Sequence, residues 1–175
     1  MTHLTSRAYY KARILLVPLG PSGAALVSTM SDAGLREVLV AAPASHPDGA
    51  LLREVGAPET ELSTETVSDL AASTDMMVFL GSRLEETPDD FVAAMATAGR
   101  NQGTLLAGVL VAVGGWDSEP GSTSMTVLRR ELDMLVTVRK SDLARDFIEV
   151  LKGGTREAIP GKLFQYPTTG APHAQ

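Results

Sequence analysis

The sequence predicts an α/β fold built on a doubly wound, mostly parallel, Rossmann-like three-layer sheet. Two observations carry that expectation. Five short apolar runs, at 13–18, 37–42, 75–81, 104–114 and 133–139, are continuous rather than alternating, as strands are when helices cover both of their faces. Between them lie segments of helical period, about 10 to 15 residues long, and strands that alternate with such helices are joined by right-handed crossovers.

The elements follow in order. "RILLVP" (13–18) is the first strand. Over 22–33, helical spacing sets Ala25, Leu26, Thr29 and Met30 on one stripe, and Gly34 supplies the left-handed residue that ends a helix. "EVLVAA" (37–42) and "DMMVFLG" (75–81) are the next two strands. The helix over 88–99 opens on Pro88, Asp89 and Asp90 before Phe91, Val92 and Met95; proline and carboxylates suit a first turn, whose amides are unpaired and whose dipole is positive. "TLLAGVLVAVG" (104–114) gives a fourth strand, 121–131 a helix, and "DMLVTVR" (133–139) a fifth strand. The last helix, 141–151, is capped by Ser141 and stopped by Gly153 and Gly154. Residues 1–12 read as an N-terminal extension, with Tyr9 and Tyr10 placed to pack before the first strand, 13–153 as one α/β domain, and 154–175 as a C-terminal tail whose "KLFQY" is suited to docking on a neighbouring surface.

Composition narrows the function. At 175 residues the chain is the size of one domain, and 44% hydrophobic with 21% charged residues is ordinary for a packed core. The absence of cysteine removes disulfides, thiolate nucleophiles and Cys-containing zinc sites together. With a net charge of −6 and scattered basic residues there is no footprint for nucleic acid. No run approaches the roughly 20 apolar residues of a membrane span, and "MTHLTSRAYYKAR" lacks the apolar core of a signal peptide. A cytoplasmic protein with no membrane span is expected.

In an open parallel sheet, the turn after the first strand commonly receives a phosphate. Here that turn is "GPSGAA": Gly20, Ser22, Gly23 and Ala24 offer backbone amides at a helix start, while Pro21 removes one. A Gly-X-X-Gly turn serves equally to pack a helix close to a strand, and both readings stand at this point. Gly81 ends the third strand, and Ser82 and Arg83 follow it at the same edge of the sheet.

The order of landmarks is more informative. "ILLVPLGPSGAALVSTMSDAGLREVLVAAPASHPDGALL", then "STDMMVFLG" (73–81), then "LRRELDMLVTVRKSDLARDFIEVL" (128–151) resembles the nucleotide-binding domain of the FtsZ branch of the tubulin/FtsZ family over roughly residues 13–153. The resemblance implies a GTP- or GDP-binding edge and head-to-tail assembly, and it rests on fold-determining positions. At the chemical positions the sequence departs from the family. A glycine- and threonine-rich phosphate loop is replaced by "SRLEETPDD", in which Glu85, Glu86, Asp89 and Asp90 are opposed only by Arg83. Two unit charges about 4 Å apart interact by about 4 kcal/mol at an effective dielectric near 20, so that loop repels a triphosphate. The family's ribose-contacting Asn-Thr-Asp is "APASH" (42–46) here, and its second domain falls beyond residue 153.

The remaining constellations are weaker. Ser45, His46 and Asp48 crowd one Pro- and Gly-rich turn, whereas a hydrolytic triad converges from separate loops. A single internal histidine excludes paired zinc spacing. Trp116, the only tryptophan, sits among glycines in the loop after the fourth strand and is either a contact residue or a plug over the sheet edge. The expectation is therefore a non-hydrolysing FtsZ/tubulin-like domain with no catalytic residues, no metal and no required cofactor. It works through a protein partner or self-association, with Trp116 and Arg83 as contact residues. The alternative is a nucleotide or other small-molecule binding protein, or an enzyme, using the loops at 20–24, 42–49, 81–88 and 114–121.

Overall fold

The five expected strands and four expected helices all form, with ends within two residues of their sequence positions, in a computed structural model that describes residues 11–153. In chain order they are β1 (Ile14–Pro18), α1 (Gly20–Asp32), β2 (Leu39–Pro43), β3 (Gly49–Glu54), β4 (Ser63–Thr66), α2 (Val67–Ala72), β5 (Met76–Arg83), α3 (Asp89–Asn101), β6 (Leu105–Gly114), α4 (Glu119–Glu131), β7 (Met134–Val138) and α5 (Ser141–Lys152). They make one seven-stranded sheet in the order β4-β3-β2-β1-β5-β6-β7. From β2 to β7 every neighbouring pair in that order is parallel, while β3 and β4 add an antiparallel meander beyond β2.

The strands are apolar throughout because both faces are covered. On one face Leu15, Val17, Met77 and Phe79 pack against α2, α3 and α4, through residues such as Leu70, Val92, Met95 and Leu128. On the other, Leu16, Val40, Val78 and Val109 meet Val27 and Met30 of α1 and Ala144 and Ile148 of α5. Alternation along each strand thus sends successive side chains into two separate cores.

Two local expectations are corrected. The buried stripe of α1 is Gly23, Val27, Met30 and Ser31, whereas Ala25 and Thr29 are exposed. Gly23 sets this register: a Cβ there would lie 2.5 Å from the Leu80 carbonyl oxygen and 3.1 Å from the Pro18 backbone, so the bare glycine face is the one turned to the sheet. The stop at Gly34 forms as a complete Schellman motif, with Gly34 at φ +105° and bonds from Gly34 N–H to Ser31 and from Leu35 N–H to Met30. At α5, Lys140 and not Ser141 occupies the cap position, no side chain caps it, and Gly153 at φ +97° ends the helix. Tyr9, Tyr10, "KLFQY" and Gly154 lie outside the described residues.

The sequence carries no strand or helix expectation for the segment 49–72. Its two strands are short, β4 is the polar "STET", and α2 has only six residues, so neither period extends far enough to register. One local signal was present: Thr66 Oγ1 accepts the Asp69 N–H at 3.1 Å, an N-cap legible as Thr-X-X-Asp.

Candidate functional site

The order of strand addition reverses about β1, which has β2 on one side and β5 on the other. The crevice outside the carboxyl ends of β1 and β5 is where ligands of open α/β sheets bind. Five segments meet at this edge: the first turn of α1, the end of β5, the short helical turn Leu84–Glu86, the start of α3 and the loop after β6.

The first turn of α1 is where an anion would be held. Its Ser22 amide is already committed. The Leu19 N–H donates to the Leu80 carbonyl at 2.8 Å, Pro21 has none, and the Ser22 N–H donates to Glu86 Oε2 at 2.8 Å. A carboxylate of the chain itself thus takes the place of the external anion, satisfying an orphan donor and facing the positive end of the helix dipole. Gly20 makes this possible. It adopts φ +78°, and a Cβ on it would fall 2.5 Å from Glu86 Cβ, so any side chain would push the 84–86 turn away.

Arg83 ties the turn down. Its backbone N–H donates to Ser22 Oγ at 3.3 Å, its guanidinium holds Glu85 Oε1 at 2.6 Å, and Nε stands 3.6 Å from Glu86 Oε1. Its own backbone N–H first, and the Arg83 guanidinium second, hold the Glu85 carboxyl below the usual carboxylate range; the Glu85 hydrogen bond and the two neighbouring carboxylates raise Arg83. Glu85 Oε2 turns the other way and packs against Gly115, leaving no room for a Cβ on that glycine.

That contact depends on a bulge. Gly81 pairs with Leu110, yet Arg83 pairs with Gly114, so β6 gains two residues on β5 at this point, and Ala112 sits at φ +44°. The bend carries the 114–118 loop over Glu85. Trp116 lies beyond it, 45% exposed, with Nε1–H donating to the Val113 carbonyl at 3.2 Å.

Of the residues singled out from sequence, Gly20, Ser22 and Arg83 converge on Glu86. Gly23 and Gly81 are packing positions, Gly81 lying so close under Leu19 that a Cβ added to it would stand only 2.9 Å from Leu19 Cβ. Ala24 is exposed on α1, and Ser82 is half-buried near the end of β5. His46 and Asp48 form a turn in which the Asp48 N–H donates to His46 Nδ1 at 3.2 Å. Among the described residues no cluster of three or more His, Asp or Glu could hold a metal ion, and no helix is long and apolar enough to cross a membrane.

On the β2 side of the same first turn lies a feature sequence reasoning missed. β2 and β3 reach past α1, and the step between helix and sheet is a cleft of about 370 Å³. Pro18, Pro21, Ala24, Val40, Ala42 and Leu51 contribute its apolar walls, and Leu62, Arg53 and Glu59 also line it. The pattern was hidden because the wall comes from the unassigned strand β3.

The chain matches no model of a known protein family and no curated protein. Geometry is therefore the basis for any functional reading.

Proposed function

We propose that this chain is a non-hydrolysing α/β binding domain of FtsZ/tubulin-like type that acts through protein contacts at the carboxyl edge of its sheet, by self-association or by regulating a longer relative. The observation that carries this reading is the 2.8 Å bond from the Ser22 N–H to Glu86 Oε2. A nucleotide phosphate would have to displace that carboxylate, reorder the Arg83 network and meet Glu85 beside it, which disfavours both GTP and GDP. Trp116 is the contact residue best prepared for a partner: large, 45% exposed and oriented by a bond within its own loop. The test has two readouts. Phosphate release from GTP should not exceed the blank, and Trp116→Ala should weaken self-association in sedimentation, or binding to a captured partner, by about 2 kcal/mol. GTP turnover by the pure protein would overturn the first half; an unchanged association would overturn the second.

The cleft supports a second reading, in which this edge holds a small molecule. Its volume, about 370 Å³, falls within the roughly 300–1,000 Å³ typical of ligand sites, and its lining is mainly apolar.

A further inference from the structure

We infer that the cleft between α1 and β2–β3 binds a small amphipathic monocarboxylate, with its carboxylate on Arg53 and its apolar body against Pro21, Ala24, Ala42 and Leu51; this rests on the second reading above. The inference starts from Arg53. It sits on β3 directly opposite Val40, a residue buried under α1, and Leu51, two positions earlier on the same face, is opposite Ala42. The arginine stem thus runs along the apolar sheet face, and its guanidinium is delivered to the cleft.

That guanidinium is half-buried and under-used. Among the described residues its one hydrogen bond runs from Nη1 to the Ala57 carbonyl at 3.3 Å, and no described carboxylate stands within ion-pairing range. Arginines 13, 83, 100, 130 and 145 each have such a partner, and Arg36, Arg129 and Arg139, which like Arg53 have none among the described residues, are exposed. A partly desolvated cation that keeps free donors beside an apolar cavity is complementary to an anion with an apolar body.

The charge count sets the head group. Arg53 is the one cation of the lining and is matched by one negative charge; Glu59, an exposed residue of the same lining that does not pair with Arg53, adds a negative charge of its own and disfavours a ligand carrying more than one. A phosphate dianion or a nucleotide di- or triphosphate would meet Glu59 with charge unbalanced, and Glu86 already holds the nearby helix N-terminus. The size of the cleft suits a body of about eight to ten carbons.

The experiment titrates the full chain with octanoate and with octan-1-ol, which shares the apolar body without the charge, following heat of binding and melting temperature. Octanoate should bind at least tenfold more tightly than octanol. Arg53→Gln should erase that advantage by weakening octanoate at least tenfold more than octanol, and Ala24→Trp, at an exposed helix position, should weaken both by filling the cleft. Equal binding of the two probes, both lost in Ala24→Trp, would overturn the carboxylate assignment while leaving a small-molecule cleft in place. Binding of neither probe, or binding indifferent to Ala24→Trp, would overturn the cleft reading and this inference with it.

Discussion

The two sides of the first turn of α1 have opposite histories of satisfaction. On the β5 side internal pairs close the helix terminus: the Ser22 amide holds Glu86, the Ser22 hydroxyl accepts from Arg83, and the Arg83 guanidinium spans both glutamates, while Glu85 Oε2, Thr87 Oγ1 and Asp89 Oδ1 are buried there without a hydrogen-bond partner. On the β2 side, a few residues away, apolar walls stand open and Arg53 keeps most of its donors unpaired. Gly20 belongs to both, touching Glu86 and lining the cleft. The difference teaches that a familiar ligand-binding edge need not be empty where its backbone geometry invites a ligand. An internal carboxylate can complete the helix terminus, and the capacity to bind then lies next to it.

Substitutions can separate the two sides. Gly23→Ala should have the largest effect, because its Cβ meets backbone on two sides and neither can yield without moving α1 off the sheet. A loss of about 3 kcal/mol in urea unfolding is expected. A near-neutral result would show that the register of α1 is not fixed there. Glu86→Ala should cost about 2 kcal/mol, the worth of a hydrogen bond to a charged group, and should open the anion seat. Inorganic phosphate should then raise the melting temperature of the variant and leave the native chain unmoved. If phosphate stabilises both equally, Glu86 is not the occupant that matters.

Acid should act on the closed side at Glu85 and, away from it at the end of α4, at Glu131. Glu85 and Glu131 both have folded values below their ordinary 4.5, Glu85 through its own amide and Arg83, and Glu131 through hydrogen bonds from Arg100 and Arg130. For groups lowered on folding, a proton binds the unfolded chain more tightly, so their contribution is complete above that pH and is lost as pH falls below it. Unfolding midpoints measured between pH 6 and pH 3 should therefore fall only in the acid range, and Glu131→Gln should flatten part of that slope. Arg53→Gln should have the smallest effect on stability, within about 0.5 kcal/mol, since it breaks only the bond to Ala57. A large loss would mean that the open side is structural after all.

The sequence made the fold legible wherever a period ran long enough. The β1, β5 and β6 runs and the four longer helices were visible because continuous apolar strands and amphipathic helices each repeat over many residues. The β3–β4 meander was not, since four- and six-residue strands with polar members carry too few repeats, and with β3 went the wall that holds Arg53. At the site, residue types were visible and pairings were not. The acids of "SRLEETPDD" read as a repulsive group, yet nothing local distinguishes Glu86, which reaches the α1 terminus 64 positions away, from Asp90, which is exposed in the first turn of α3. Likewise the sequence leaves the phosphate and packing readings of Gly23 equal, and the Leu80 carbonyl beside it makes it a packing position.

The most direct measurement is the backbone amide resonance of Ser22 while the native protein is titrated with GTP and Mg²⁺, with phosphate release followed in the same sample. With Glu86 seated on that amide, the resonance should stay in place and release should match the blank. A saturable shift of the Ser22 amide accompanied by phosphate release would contradict the account.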